Sequence, residues 1–144
     1  MARTADQHWM HRAHALAENG RWNTAPNPRV GCVIVHEGRA IAEGWHAQWG
    51  GDHAEVHALN QLDPADERLL ASTAYVTLEP CNHHGRTPPC TGLLIDRRIP
   101  RVVVGMKDPD PRVSGSGIER LRAAGAEVMV WEDQPGGRWL NRRF

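Results

Sequence analysis

Apolar positions along the chain recur with two periods. Residues 4–19 follow the helical one: Trp9, Ala13, Leu16 and Ala17 share a stripe, Arg12 and Glu18 lie on the polar face, Thr4 and Gln7 fit a capping box, and Gly20 stops the run. The stretch "NTAPNPRVG", 23–31, carries two prolines and predicts an ordered turn or extended loop. "VGCVIV", 30–35, is a β-branched apolar run; a turn at "HEGR" and a second run at 40–46 complete an antiparallel hairpin. Val56, Leu59 and Leu62 predict a helix over 53–62, ahead of a polar connection containing Pro64. Beyond it, strand and helix alternate: strand 74–78, helix 90–98 with Leu93, Leu94 and Ile95 inward, strand 101–106, helix 116–125 and strand 127–131.

Three late strands separated by helical segments of about ten residues require parallel crossovers, whereas the hairpin is antiparallel. The expected fold class is therefore α/β: a three-layer α/β/α sandwich, its five-stranded mixed sheet covered by helices on both faces. No repeat, low-complexity tract or internal boundary interrupts it, so a single domain over residues 1–144 is expected, with "DQPGGRWLNRRF" as a C-terminal tail.

Charge and cysteine content narrow the function classes. Lys plus Arg equals Asp plus Glu at 17 each, so no net field draws the chain to nucleic acid or an acidic membrane. Three cysteines are too few and odd in number for a disulfide framework, no signal peptide is recognisable at the N-terminus, and no apolar run reaches membrane-spanning length. A cytoplasmic location, no nucleic acid and no membrane partner are the expectations.

Two stretches carry chemistry: "HAEVHAL" from His53 and "TLEPCNHHGRTPPCT" from Thr77. Taken singly, a histidine at a helix start or a cytosolic cysteine is ordinary; together His53, Cys81 and Cys90 offer one imidazole and two thiolates, a soft three-ligand set that suits Zn²⁺ and leaves a fourth position open. Strand ends and helix N-termini converge at the carboxyl edge of a parallel sheet, and helix N-termini favour thiolates. Glu55, two residues after His53, is the expected proton shuttle, since zinc lowers the pKa of water and a neighbouring carboxylate can relay the proton. Zinc nucleobase deaminases use H-x-E followed by P-C-x-x-C. "HAE" and "PC" match directly, but eight residues separate the two cysteines instead of two. Pairing His53 with His57 as in a metalloprotease fails on order, because that motif is H-E-x-x-H, and it leaves both cysteines unexplained. His57 then reads as a buried or supporting histidine, and Cys32, within an apolar strand, as core.

The stretches "PNPRVGCVIV", "GWH", "HAEVHAL", "YVTLEPCNHHGRTPPCT" and "DPDPRVSGSG" together closely resemble the deaminase domain of the bifunctional riboflavin-biosynthesis deaminase/reductase family, whose long "PCNHHGRTPPC" loop accounts for the cysteine spacing. The resemblance implies a cytidine deaminase-like fold, Zn²⁺ as cofactor, and hydrolytic deamination of 2,5-diamino-6-ribosylamino-4(3H)-pyrimidinone 5′-phosphate. It further implies that Asn27 and His46 contact the pyrimidine and its neighbouring groups, that Arg86 and Thr87 anchor the ribose phosphate, and that Asp108 with Asp110 contact the sugar. A planar Arg fork and a hydroxyl suit a phosphate, and carboxylates suit ribose hydroxyls. Asp110 stands where the family commonly has Asn, which replaces a donor and acceptor by an acceptor-only charge.

The chain ends just where a family member would continue into its reductase domain, so no reductase domain and a separate downstream reductase are expected, in riboflavin biosynthesis or a branch using the same pyrimidine. Two other readings fit less well. A deaminase of nucleic-acid bases would need basic surface and stacking aromatics, which the neutral charge disfavours. A zinc-stabilised scaffold would need neither Glu55 nor an open coordination position. A homo-oligomer, a dimer foremost, is expected, with exposed Trp45, Trp49 or Trp139 marking the surface.

Overall fold

The run predicted as the first strand lies at the heart of the sheet. In the computed structural model, which describes residues 2–20, 29–46, 51–82 and 89–133, strand β1 (Gly31–His36) is buried on both faces over its first five residues. It pairs antiparallel with β2 (Arg39–Trp45) through a two-residue turn in which Glu37 and Gly38 both have positive φ, 48° and 75°. That is the mirror-image turn whose twist matches the strands it joins. On its other side β1 pairs antiparallel with β3 (Ser72–Leu78), and β4 (Arg101–Met106) and β5 (Glu127–Val130) extend the sheet in parallel. The strand order β2-β1-β3-β4-β5 is the mixed five-stranded sheet that the pattern predicts.

Helix α1 (Ala2–Ala17) covers one face, with Met10, Ala13 and Leu16 against Val33, Val35, Tyr75 and Val103. The other face holds α2 (Ala54–Leu59), α3 (Cys90–Asp96) and α4 (Ser116–Ala123), which bury Ala58, Leu94 and Leu121 against Ile34, Val76, Val102 and Val104. The two layers of helices and the sheet between them give the expected sandwich.

Boundaries depart from the expectation at several places. Helix α1 begins at Ala2, two residues before the expected cap position at Thr4. Its inward stripe is centred on Met10, and Trp9 is only half-buried at its margin. Helix α2 stops at Leu59 with Asn60 as C-cap; Ala54, Glu55, Ala58 and Leu59 face inward, while Val56 and Leu62 are half-buried. Helix α3 ends at Asp96, because Arg98 takes a left-handed φ of 59° ahead of Pro100; of its three expected inward residues only Leu94 is fully buried. Trp131 is buried in a 3₁₀ turn (Trp131–Asp133) after β5, not in the strand. A further 3₁₀ turn, Glu67–Ala71, precedes β3 and carries Leu69 into the core. Trp45, expected to be exposed, is half-buried, its ring edge-on to His57 at 4.8 Å. Trp49, Trp139 and the C-terminal tail lie outside the described residues.

One polar group is built into the α1 face. Asp6, 2% exposed, accepts the Tyr75 hydroxyl at 2.6 Å and two Arg101 N–H bonds at 2.9 and 2.8 Å, tying α1 to β3 and β4. Burial raises the Asp6 carboxyl, and the bonds from Arg101 and Tyr75 outweigh it, so its pKa lies below the usual carboxylate value.

Candidate metal centre

Parallel strands β3 and β4 end side by side, and the chain beyond β3 runs Glu79, Pro80, Cys81 at that carboxyl edge. Helices α2 and α3 start at the same edge, bringing His53, the N-cap of α2, and Cys90, the first residue of α3, to Cys81. His53 caps nothing with its side chain, which is free to turn to the sulfurs. Its Nδ1 lies 3.3 Å from Cys90 Sγ and 3.7 Å from Cys81 Sγ, and all three ligand atoms fall within 4.8 Å of one another. A tetrahedral zinc with bonds of about 2.0 Å to nitrogen and about 2.3 Å to sulfur places those atoms about 3.6 Å apart. The donor set and its spacing therefore fit the ion. His57 is not part of the cluster: its Nδ1 faces the Trp45 backbone, 3.1 Å from the nitrogen and 3.0 Å from the carbonyl oxygen.

The two thiols are shifted in opposite directions. Cys81 is drawn down, first by the hydrogen bond from the Cys90 thiol, then by His53 and by the Cys90 backbone N–H, which donates to its Sγ at 3.2 Å. Cys90 is pushed up by its hydrogen bond to Cys81 and by its burial. His53 is raised by its bond to Cys81. The N-terminus of α3 thus favours a thiolate on Cys81, across the loop, while Cys90 itself is the buried partner. Cys32 is core, as expected, and burial together with the neighbouring Glu55 raises its thiol.

Glu55 is 4% exposed, in the first turn of α2. Its carboxyl is raised to about 7, chiefly by burial and further by Cys81, against lowering contributions from its own backbone N–H, His53 and the Cys90 thiol. A buried carboxyl touching the ligand sulfur is placed to move protons at the metal.

His46, 5% exposed, stands beside His53 with ring centroids 5.7 Å apart, edge to face. Its Nδ1 lies 3.0 Å from the Asp52 carbonyl; donation there leaves Nε2 as an acceptor, and that buried atom has no partner among the described residues. Asp108 and Asp110 follow β4 on the same edge. The Asp108 carboxylate accepts the Asp110 N–H at 2.9 Å, and the Asp110 carboxylate accepts the Arg112 backbone N–H at 3.0 Å and Arg112 Nη2 at 2.8 Å. Asn27, Arg86 and Thr87 lie outside the described residues.

Two groups at this edge escaped the sequence reading. The Glu79 carboxylate accepts four backbone N–H bonds, from Asp108, Gly115, Gly117 and Ile118. Arg120 donates to Asn82 Oδ1 at 3.0 Å and Thr91 Oγ1 at 3.2 Å, joining the residues that follow the two cysteines. Glu79 stands inside "LEPC", and its place beside the cysteine was its only signal.

Residues 3–106 match the family described as the cytidine and deoxycytidylate deaminase zinc-binding region. The riboflavin biosynthesis protein RibD of Escherichia coli K12 is 54% identical over 139 residues, 96% of this chain and 37% of that protein. The diaminohydroxyphosphoribosylamino-pyrimidine deaminase of Buchnera aphidicola (subsp. Schizaphis graminum) is 47% identical over 87% of this chain and 83% of its own length. A solved structure of Acinetobacter baumannii RibD superposes with a TM-score of 0.89 at 44% identity, covering 99% of this chain and 39% of that one. The chain therefore spans about two-fifths or less of the RibD proteins it matches, and most of the Buchnera deaminase. With a His/Cys/Cys cluster, a buried glutamate and the sheet topology of these relatives, the chain belongs to the zinc-binding deaminase family, hydrolases of carbon–nitrogen bonds, and to its riboflavin-biosynthesis branch.

Proposed function

We propose that this chain hydrolytically deaminates 2,5-diamino-6-ribosylamino-4(3H)-pyrimidinone 5′-phosphate to 5-amino-6-(5-phosphoribosylamino)uracil, releasing ammonia. The observation that carries the proposal is the set His53, Cys81 and Cys90 with Glu55 buried against it at the carboxyl edge of β3. In this reading the three side chains hold Zn²⁺. The ion, when bound, acts as a Lewis acid that makes water a nucleophile near neutral pH.

The remaining work falls to the chain. Glu55 takes one proton from the attacking water and gives it to the ring nitrogen, then takes the second from the newly attached hydroxyl and gives it to the departing amine. A carbon–oxygen bond forms, the carbon–nitrogen bond breaks with release of ammonia, and the carboxylate is restored. Burial supports this role, because it keeps Glu55 close to neutral pH, where a proton can move both ways. The unpartnered Nε2 of His46 accepts from the amino-bearing edge of the pyrimidine, and Asn27 contacts the groups beside it. Arg86 and Thr87 bind the phosphate. Asp108 and Asp110 take the ribose hydroxyls, Asp110 sharing its oxygens with Arg112. The product passes to a reductase, and the cytoplasm is the setting that fits the reduced cysteines; among the described residues no helix is long and apolar enough to cross a membrane.

The test is ammonia release by zinc-loaded protein given the ribotide, cytidine or a tRNA anticodon stem-loop. Release from the ribotide alone is expected; release from the RNA alone would overturn the proposal. Glu55→Gln should keep zinc and lose turnover, whereas loss of the metal would mean that Glu55 serves as a ligand.

A further inference from the structure

Glu79 ends the β3–β4 ladder: its N–H donates to the Met106 carbonyl at 2.9 Å, and the chain then leaves the sheet toward Cys81. Its side chain, 6% exposed, turns the other way, under the segment that follows β4. Oε1 accepts the N–H of Asp108 at 3.0 Å and of Gly115 at 2.9 Å, so both ends of the 108–115 loop hang on one oxygen. Oε2 accepts the N–H of Gly117 at 2.9 Å and of Ile118 at 3.1 Å, in the first turn of α4. Neither oxygen is left with only one partner.

The sequence around these donors is shaped for the contact. Gly115 sits at φ 86°, a conformation open to glycine, which turns its N–H to the carboxylate. At Gly117 a Cβ would stand 2.2 Å from the Pro80 carbonyl, so only glycine lets α4 lie this close to the Glu79–Cys81 segment. Inside the loop the bonds are local, Asp110 N–H to Asp108 and Arg112 N–H to Asp110. These bonds fix the loop's shape; Glu79 fixes its place.

We propose that Glu79 is a positioning residue for the deaminase reaction: it sets the sugar-side loop bearing Asp108 at a fixed distance from Cys81, two residues away along the same backbone. The inference rests on the proposed function, in which Asp108 faces the ribose. Glu79 touches neither substrate nor metal in this scheme, so its effect falls on ribotide binding and leaves the chemical step at the pyrimidine alone.

The experiment is steady-state kinetics of zinc-loaded wild type and Glu79→Gln, on the ribotide and on the same pyrimidine lacking the ribosyl phosphate, with zinc content measured alongside. An amide in place of one oxygen sets N–H against two backbone N–H groups, and KM for the ribotide is expected to rise about 10- to 100-fold. Zinc should stay at one per chain and kcat within about threefold, with kcat/KM for the bare pyrimidine within about twofold. Should Glu79→Gln fail to fold, Glu79→Asp keeps the charge but shortens the reach by one methylene, and the same KM rise is expected. An unchanged ribotide KM, an equal loss on both substrates, or loss of zinc would overturn the inference while wild-type turnover stands. A wild type inactive on the ribotide would instead remove the proposed function and this inference with it.

Discussion

Helix α2 carries both His53 and Glu55, and its distance from the sheet is set at Gly44 on β2. A Cβ built there would stand 2.5 Å from the Ala54 carbonyl oxygen and 2.5 Å from the Ala58 nitrogen, both backbone atoms that no rotamer change can move. Ordinary contacts to carbon lie at about 3.5 Å, so Gly44→Ala must drive α2 away by about 1 Å. Overpacking of this kind costs about 1–3 kcal/mol. With about 2.1 cal/mol/K of unfolding entropy per residue, a chain of 144 residues loses about 3–10 °C in Tm. A displacement of about 1 Å at reacting groups costs about 100-fold in rate. Gly38→Ala is the control: it puts a side chain at φ 75°, at a strain of about 1–2 kcal/mol, but meets nothing within 4 Å and lies at the far end of the hairpin. Calorimetry and ammonia release from the ribotide should show both variants destabilised and only Gly44→Ala slowed. If Gly44→Ala keeps its activity, or Gly38→Ala loses as much, the close approach of α2 is not what positions the site.

Removing Asp6 leaves the partly buried Arg101 with only the exposed Glu127, 3.8 Å from its Nε, so Asp6→Ala should cost about 3 kcal/mol in urea unfolding. Because the folded pKa of Asp6 is depressed, its contribution is present above the ordinary carboxylate pKa of about 3.9 and is lost as pH falls through the folded value. Acid titration of stability should therefore fall more steeply for wild type than for Asp6→Ala. Chelation should abolish turnover yet leave the sheet intact by far-ultraviolet circular dichroism, since both apolar clusters form without the ligands' help; an unfolded metal-free chain would refute this. Asp110→Asn frees Arg112 and restores a donor toward the sugar, so ribotide KM should fall by about threefold with Tm unchanged; a rise in KM would show that the carboxylate is the better contact.

The fold was legible wherever burial wrote a period into the sequence. The segment "VGCVIV" reads as a strand because it is buried on both faces, and the late alternation of strands and helices dictates parallel crossovers whatever the details of packing. Asp6 shows where that reading stops. On α1 it occupies the same inward stripe as Met10 and Ala13, yet its polarity marks it as surface; the partner that makes its burial tolerable, Arg101, lies 95 residues away on β4. Pattern carries no information about a pairing of that range.

The site divides along a different line. His53, Cys81, Cys90 and Glu55 were legible because zinc chemistry admits few side chains, so residue type and spacing together nearly specify the role. Glu79 is no less buried and no less committed, but its four partners are backbone N–H groups, which every non-proline residue possesses and no letter of the sequence distinguishes. What such contacts leave in a sequence is indirect: a glycine where two backbones come too close for a Cβ, as at Gly117 over Pro80 and at Gly44 under α2. Side-chain chemistry at this edge of the sheet can thus be read from the chain directly, whereas the frame that holds it in register is written only in the glycines, and becomes readable once the backbone is known.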